Sequence, residues 1–183
     1  MNVKEAIQAR RAYRAFDPVE ITDEMVRDLA ECASLSASCF NNQPWRFVFV
    51  RDKGQLERMK SVMSKGNEWT SKASMIIAVF CRKTDDCVIK DREYYLFDAG
   101  MATAHLILRA TELELVAHPI AGFSPQKARE VLGIPEEYDV ITLVNLGKRS
   151  QDLTGLSEKQ LESEKERPER RKFDEFVYLD RFQ

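Results

Sequence analysis

The feature that most constrains this chain is a long apolar stretch near its middle. Residues 92–114 are typical of one continuous helix, and apolar side chains such as Phe97, Met101, Leu106 and Leu108 are spread around nearly all of it. A helix with one side in water shows a polar stripe along that side. We therefore expect this helix to be buried, either at the centre of the fold or against a partner.

Three further stretches predict the strands of a sheet. Residues 45–50, 75–81 and 140–146 are rich in β-branched and aromatic side chains, and the second stretch is apolar on both faces, as a central strand is. A short strand is expected at 113–117. Because helical stretches alternate with these strands, the sequence predicts an α/β or α+β class in which helices cover a sheet.

Capping residues predict where the smaller helices begin and end. One helix is expected over residues 2–10 and another over residues 53–64. Thr22 and Ser124 are suitable N-caps for two more helices, and Gly133 is suited to end the second of these.

The last part of the chain predicts an arm. Residues 158–175 are dominated by charge, and the chain becomes apolar again at residues 176–179 and at Phe182. We expect residues 1–155 to form a domain and residues 156–183 to form an arm whose apolar end docks on its own sheet or on another subunit. The alternative is a plain surface helix followed by a frayed tail.

The balance of charge argues against a nucleic-acid partner. The 183 residues carry a formal net charge of −2, and 44% of them are hydrophobic, which is enough for the packed core of one domain. A general nucleic-acid binder is usually strongly basic. Positive charge is instead local here, which favours a small anionic ligand.

The cysteines and the apolar runs indicate a cytoplasmic protein without a membrane partner. The N-terminus lacks a long apolar stretch, and the longest uninterrupted apolar run, residues 75–81, is far too short to span a bilayer. The four cysteines, at positions 32, 39, 81 and 87, show no CxxC spacing. We therefore expect reduced thiols and a cytoplasmic location.

No side chain stands out as a nucleophile, an acid–base catalyst or a metal ligand. The only histidines are His105, in the long helix that we expect to be buried, and His118, and neither has a partner at metal-ligand spacing. The sequence contains no G-x-S-x-G elbow, P-loop or G-x-G-x-x-G fingerprint. We predict no catalytic side chain and no metal site, and the hydrolase, NTPase and Rossmann classes are not indicated.

Three motifs instead indicate recognition of a phosphate and of a flat heterocycle. Arg10-Arg11-x-x-Arg14 groups three guanidiniums, which suit phosphate oxygens, and a spacing of four would place Arg10 and Arg14 on one helix face. The amides in residues 38–45 suit the alternating C=O and N–H groups of a heterocycle. In residues 119–123, a glycine allows close backbone approach.

Each motif taken alone has an ordinary structural explanation. The arginines complement the negative end of a first helix. The second motif is an ordinary polar loop, and the third is a turn.

Taken together and in this order, RRxxRxF, S-x-x-N-x-Q-P-W and H-P-I-x-G-F resemble the nitroreductase family of flavoproteins. The resemblance covers residues 2–148, with a weaker echo in the basic arm. It implies an α+β fold with a mixed central sheet flanked by helices, flavin mononucleotide (FMN) as cofactor, and an obligate homodimer. It also places two FMN sites at the dimer interface, the long helix in the dimer core, and the C-terminal arm exchanged across the partner.

The resemblance implies contacts to the phosphate-bearing end of FMN. Arg10 and Arg11 would hold the phosphate and the ribityl chain, and Arg14 would lie near the pyrimidine edge. Arg170 or Arg171 would complete the phosphate grip.

It also implies contacts to the isoalloxazine ring. Ser38, Cys39 and Asn41 would reach the FMN of the opposite subunit, the 120–122 backbone would face the ring, and Asn67 would lie near it. The predicted flavin contacts are Arg10, Arg11, Arg14, Ser38, Cys39, Asn41, Gln43, Asn67, Pro119, Ile120, Ala121, Gly122, Arg170 and Arg171.

The sequence departs from the family pattern at several positions. Ala12 replaces a common serine, which removes one ribityl or phosphate contact, and Ala121 stands where some members have glutamate. Cys39 stands where serine is frequent, and it is either a small contact residue or a redox-sensitive thiol. No insertion covers the site between the 75–81 strand and the long helix, so we expect an open site or one covered only by residues 82–92 and the arm.

The resemblance implies an oxidoreductase that passes electrons from NADH or NADPH to a nitroaromatic, a quinone or a similar small acceptor by a ping-pong mechanism. The alternative is a flavin-binding protein of the same fold without broad reductase activity, such as a flavin carrier, a flavin sensor or a member that consumes its own flavin.

Overall fold

A computed structural model describes residues 1–182 of the chain. Its main sheet has five strands, and a separate hairpin forms a second, two-stranded sheet. The strands are β1 (Phe16–Asp17), β2 (Arg46–Val50), β3 (Met75–Cys81), β4 (Val88–Ile89), β5 (Arg92–Glu93), β6 (Leu115–Ile120) and β7 (Asp139–Arg149). The helices are α1 (Val3–Ala9), α2 (Asp23–Ser34), α3 (Lys53–Met59), α4 (Tyr95–Glu112), α5 (Pro125–Leu132) and α6 (Glu158–Lys165).

Strand β7 is the centre of the main sheet. It pairs with β3, β6 and β1, and its Lys148 lies between Asp17 of β1 and Leu115 of β6. A residue in a sheet has one neighbour on each side, so β1 and β6 lie on opposite sides of β7. Strand β2 pairs only with the far side of β3, so β6 and β2 form opposite edges of the sheet.

Every strand pairing in the described part of the chain is antiparallel, whereas the resemblance implied a mixed sheet. The reason lies in the connections. Residues 51–74 join β2 to β3, and residues 121–138 join β6 to β7. In both cases the next strand starts at the same end of the sheet at which the previous strand finished, so the two strands run in opposite directions. The α+β class and the helices that flank the sheet are confirmed.

The long helix α4 is shorter than predicted and buries one side only. Ala99, Ala102 and Leu106 are buried in the cluster that packs α2 and α4 against the sheet. Leu96 and Phe97, in contrast, are 49% and 63% exposed in the single chain. The expectation that the helix is buried on all sides is therefore met only in part within one chain.

The second face of the sheet is covered by α3, α5 and short 3-10 turns. The predicted helix over 53–64 ends at Met59 and continues as a 3-10 turn over Lys60–Val62. The caps are confirmed, since the Thr22 and Ser124 side chains accept hydrogen bonds from the first turns of α2 and α5. Gly133 ends α5 with φ of 67°, in the left-handed region that favours glycine.

The C-terminal segment is anchored at its start and exposed at its end. Glu164 of α6 is buried, whereas Phe173, Phe176, Leu179 and Phe182 are exposed. The apolar end therefore does not dock on its own sheet. The division into residues 1–155 and 156–183, and the exchange of the arm in a dimer, stay predictions.

Among residues 1–182, no helix is both long and apolar enough to cross a membrane.

Candidate functional site

A cavity of about 160 Å³ lies where the chain leaves α1 and where the C-terminal segment returns to it. This volume is smaller than that of sites for whole drug-sized ligands, so it suits a single group such as a phosphate. Of the described residues that line the cavity, none is acidic. Five are arginines: Arg10, Arg11, Arg14, Arg167 and Arg170.

The electrostatics of this cavity favour an anion. Burial, followed by the charges of Arg167 and Arg170, lowers the pKa of Arg10. Like charges this close repel one another, and an anion between them removes the repulsion. The nearby carboxylate of Glu164 is engaged by the main chain, because its Oε1 accepts a hydrogen bond from the backbone N–H of Arg14 at 2.7 Å.

The arginines reach the cavity by a route that differs from the predicted one. Helix α1 ends at Ala9 with Arg10 as its C-cap, so Arg10 and Arg14 do not share a helix face. The chain from Arg11 to Ala15 is not helical. The helix ends one residue early because the Arg10 backbone turns out of the helical region, with ψ of 120°.

The C-terminal segment holds this stretch in place through main-chain contacts. Arg11 Nη2 donates to the Ser163 carbonyl at 2.7 Å, and Arg167 Nη2 donates to the carbonyls of Gln8 and Arg10, both at 2.7 Å. Arg170 lines the cavity, as the resemblance implied for Arg170 or Arg171.

Arg167 is a site residue that sequence reasoning missed, and Arg171 is an exposed residue that does not line the cavity. The available signal was Pro168, because a proline disfavours the helical conformation at the residue before it, here Arg167. In a run as densely charged as residues 158–175, charge alone does not single out one arginine.

A second group of predicted contacts is connected by hydrogen bonds beside this cavity. Asn67 Nδ2 donates to the Gly122 carbonyl at 2.8 Å, and Asn67 Oδ1 accepts from Trp69 Nε1 at 3.1 Å. A Cβ added at Gly122 would lie 2.3 Å from Asn67 Nδ2, so any other residue at this position would displace the Asn67 amide. Among residues 1–182, the Gly122 N–H has no hydrogen-bond partner, which leaves it free to meet a ligand.

Trp69 connects this group to the arginines. The Arg14 guanidinium lies 6.0 Å from the centre of the Trp69 ring, and the His118 ring stacks on Trp69 with centroids 4.6 Å apart. His118 Nδ1 lies 2.9 Å from the Tyr13 carbonyl. Burial lowers the pKa of His118 to about 4, so the ring is neutral at pH 7 and Nδ1–H donates to Tyr13.

The remaining residues of the third motif leave the sheet next to this group. Ile120 is the last residue of β6, and its carbonyl accepts from the Thr142 hydroxyl at 2.9 Å. Pro119 and Ala121 are exposed beside it. The structure thus brings the 119–122 segment, Asn67 and the arginine cavity to the β6 side of the sheet.

The 38–43 loop lies elsewhere, directly before β2. The Cys39 N–H donates to the buried Asp98 of α4 at 2.6 Å, and the Ser38 hydroxyl accepts from the Gln43 N–H at 3.0 Å. Phe40, Asn41 and Gln43 have φ of 47°, 59° and 49°. Such conformations cost non-glycine residues on the order of 1–3 kcal/mol each and persist where the surroundings impose them.

The cysteines differ from the prediction of four reduced thiols. Cys39 and Cys87 are joined by a disulfide, with Cα atoms 6.3 Å apart, while Cys32 and Cys81 are free. Sequence spacing gave no signal, because the two cysteines are 48 positions apart, and the strands β2 and β3, the helix α3 and three 3-10 turns lie between them. The cytoplasmic location stays a prediction.

The two sets of predicted contacts therefore occupy opposite edges of the sheet. One set lies beside β6 and the other precedes β2, and three inter-strand spacings separate these edges by roughly 14 Å. No hydrogen bond within residues 1–182 joins the 38–43 loop to the arginines, Asn67 or Gly122.

His105 is placed differently from the expectation of a buried histidine. It lies on the exposed side of α4, whereas His118 is 6% exposed.

These features define an α+β protein with a basic, phosphate-sized pocket at one edge of an antiparallel sheet. The chain belongs to the nitroreductase family, whose model matches residues 7–67 and 61–148. The prediction of family and fold is confirmed.

Individual relatives agree with this assignment. A protein of Archaeoglobus fulgidus, named provisionally as an NADH dehydrogenase/NAD(P)H nitroreductase, is 29% identical over 146 residues, which is 77% of this chain and 82% of the relative. A crystal structure described as an oxidoreductase containing FMN is 26% identical with a TM-score of 0.82, covering 100% of this chain and 94% of that one. A nitroreductase family protein of Clostridium difficile has a TM-score of 0.81 at 21% identity, and both chains are covered completely.

The buried histidine predicts a pH dependence of stability. The pKa of His118 is about 4 in the folded chain against an ordinary 6.5, so the unfolded state binds more protons between these pH values. The free energy of unfolding should therefore fall as the pH is lowered from 6.5 to 4, by roughly 3 kcal/mol from this group. Urea unfolding at several pH values measures it.

His118→Gln should remove this part of the pH dependence, and His105→Gln, which changes the exposed histidine, should retain it. An unchanged slope in His118→Gln would show that other groups account for the acid sensitivity.

Proposed function

We propose that this chain is an FMN-dependent oxidoreductase that passes electrons from NADH or NADPH to a small aromatic or quinone-like acceptor. The observation that carries the proposal is the cavity lined by five arginines and, within the described residues, by no acid. FMN ends in a phosphate, and guanidiniums bind phosphate through several directed, charge-assisted hydrogen bonds. The family and the FMN-containing relative support the same cofactor.

The arrangement of the residues suits a ligand with a phosphate at one end and a flat ring at the other. Arg10, Arg11, Arg167 and Arg170 hold the phosphate, and Arg14 extends from this pocket toward Trp69. There its positive charge stabilises an electron-rich ring, because opposite charges attract more strongly away from bulk water. The free Gly122 N–H is a donor at the ring end.

When bound, FMN supplies a reversible two-electron carrier. The protein binds and orients FMN and leaves one face of the ring accessible. The donor binds there and leaves before the acceptor binds, which is a ping-pong order. The neutral His118 does not add positive charge beside the arginines, and its hydrogen bond to the Tyr13 carbonyl fixes the backbone next to Arg14.

We further propose that the working unit is a homodimer in which each FMN site takes residues from both chains. The 38–43 loop lies at the opposite edge of the sheet from the arginine cavity, so one chain does not bring both sets together. In a dimer, the loop of one chain reaches the cavity of the other.

The surface of the single chain supports association. A groove of about 420 Å³ between α1, α2 and α4 is lined largely by apolar atoms of residues such as Val3, Leu35 and Leu108. Leu96 and Phe97 continue the exposed apolar surface of α4. The exposed apolar end of the arm, residues 173–182, gains burial by crossing onto the second chain.

The first test is spectroscopic. Purified protein should show flavin absorption bands or take them up from added FMN, and anaerobic NADH or NADPH should bleach them. Steady-state oxidation of the donor should then depend on a nitroaromatic or a quinone. A protein that takes up no FMN would contradict the proposal, and a flavin-loaded protein that turns over with neither donor would favour a flavin carrier or sensor of the same fold.

The phosphate pocket predicts a difference between two neighbouring arginines. Arg170→Gln should weaken FMN binding roughly tenfold, because a charge-assisted contact to the phosphate is lost. Arg171→Gln is the matched control and should bind FMN as the unaltered protein does. Titration of protein fluorescence with FMN measures both affinities.

Riboflavin, which lacks the phosphate, should bind all three proteins equally. A loss of riboflavin affinity in Arg170→Gln would instead indicate general damage to the site.

The shared site predicts complementation between two defective variants. Arg170→Gln impairs the pocket and Asn41→Ala impairs the loop, so each homodimer should bind FMN weakly at both sites. A mixed dimer contains one site with both parts intact, so mixing and reassembling the variants should restore tight binding at a fraction of the sites. Equilibrium dialysis measures that fraction, and no recovery in a proven mixed dimer would show that each chain builds its own site.

A further inference from the structure

The Cys39–Cys87 disulfide joins two segments that few other contacts connect. Cys39 directly precedes the exposed residues 40–43 of the loop, and Cys87 directly precedes the β4–β5 hairpin. The hairpin does not pair with the main sheet. A two-stranded hairpin is at best marginally stable by itself, so its position depends on what anchors it.

Two hydrogen bonds lie beside the disulfide, and an ion pair between Lys83 and Glu93 also holds the hairpin. Asn42 Nδ2 donates to Asp86 Oδ1 at 3.2 Å, and the Cys87 N–H donates to the same oxygen at 2.8 Å. Asp86 is 8% exposed, and its Oδ2 has no hydrogen-bond partner among the described residues. The disulfide therefore reinforces a small hydrogen-bond network in which one oxygen of the Asp86 carboxylate is left without a partner among the described residues.

The loop is also held in an unfavourable conformation. Phe40, Asn41 and Gln43 have positive φ, and Phe40 is 83% exposed, so its side chain does not fix the loop by packing. Asparagine tolerates this region, whereas a bulky residue such as phenylalanine rarely adopts it. The disulfide at Cys39, directly before Phe40, is the covalent restraint on this conformation.

In the single chain, the disulfide lies where a small thiol can reach it. Both cysteines are half-buried in surface segments. Cys81, in contrast, is the buried last residue of β3, and burial raises the pKa of its thiol to about 12. A chain of this size has a hydrophobic core and does not need a disulfide to fold.

We propose that Cys39 and Cys87 form a redox-active site that reacts reversibly with a dithiol, and that its state controls the 38–43 loop. In the reaction, the bond between the two Sγ atoms breaks and each sulfur gains a proton. The dithiol supplies the two electrons and the two protons, and its two sulfurs form a disulfide of their own. The released loop and hairpin then relax, so the oxidised form presents the loop in its fixed conformation and the reduced form does not.

The site itself is tested on FMN-free protein purified without reductant. N-ethylmaleimide should leave Cys39 and Cys87 unlabelled before treatment with dithiothreitol and label both after it, as read by peptide mass spectrometry. Removal of dithiothreitol and addition of diamide as oxidant should restore protection. Labelling of both residues even after diamide would overturn the proposal.

The control over the loop is tested by amide hydrogen exchange. Dithiothreitol should accelerate exchange in peptides covering 38–43 and 86–93 roughly tenfold, because local opening no longer has to break a covalent tie. Helix α5 serves as the internal reference and should not change. Cys87→Ser should exchange like the reduced protein with or without dithiothreitol, and Cys32→Ser is the matched control that should respond as the unaltered protein does.

Equal exchange in the oxidised and reduced forms would overturn control of the loop. The link to the cofactor rests on the proposed function: the oxidised protein should bind FMN several-fold more tightly than either the reduced protein or Cys87→Ser. If neither form binds FMN, the proposed function fails while the labelling and exchange results still decide the redox site. If both bind FMN equally while exchange differs, the loop does not contribute to FMN binding.

Discussion

Mutual repulsion among the guanidiniums at one small cavity is the constraint on which the rest of the site depends. Three segments meet there: the end of α1, the residues that lead into β1, and the C-terminal segment. Hydrogen bonds from Arg11 and Arg167 to main-chain carbonyls hold them together. These contacts hold the charges close together, and burial, followed by the charges of Arg167 and Arg170, lowers the pKa of Arg10. A site organised in this way gains most from a ligand that brings concentrated negative charge.

The same constraint organises the neighbouring polar groups. Trp69 contacts Arg14 on one side and His118 on another, and its N–H orients Asn67 against Gly122. These residues lie beside the β6 edge of the sheet, while the 38–43 loop is fixed at the β2 edge by Asp98 and by the disulfide. The separation of the two sets is the structural reason for proposing a site shared between two chains.

Sequence reasoning succeeded where the signal was local and succeeded only in part where it was not. The caps at Thr22 and Ser124 follow from side chains that bond to backbone groups three residues away. The resemblance implied Arg170 or Arg171 and did not include Arg167, which lines the cavity together with Arg170. Pairing of Cys39 with Cys87 was missed, since it depends on how the hairpin folds back toward the loop before β2.

By itself the sequence determined the α+β class, the family, two helix caps and the approximate position of the longer helices and strands, because periodicity, capping and motifs act over a few residues. Only the tertiary structure decided which of these residues meet. The partner of each strand, the exposed side of α4, the arginines that line the cavity and the separation of the site into two halves depend on contacts between residues far apart in the chain. Such contacts are stabilised by the burial of apolar surface and by interactions between charges, and both depend on distances in the folded chain. The order of residues along the sequence does not give these distances.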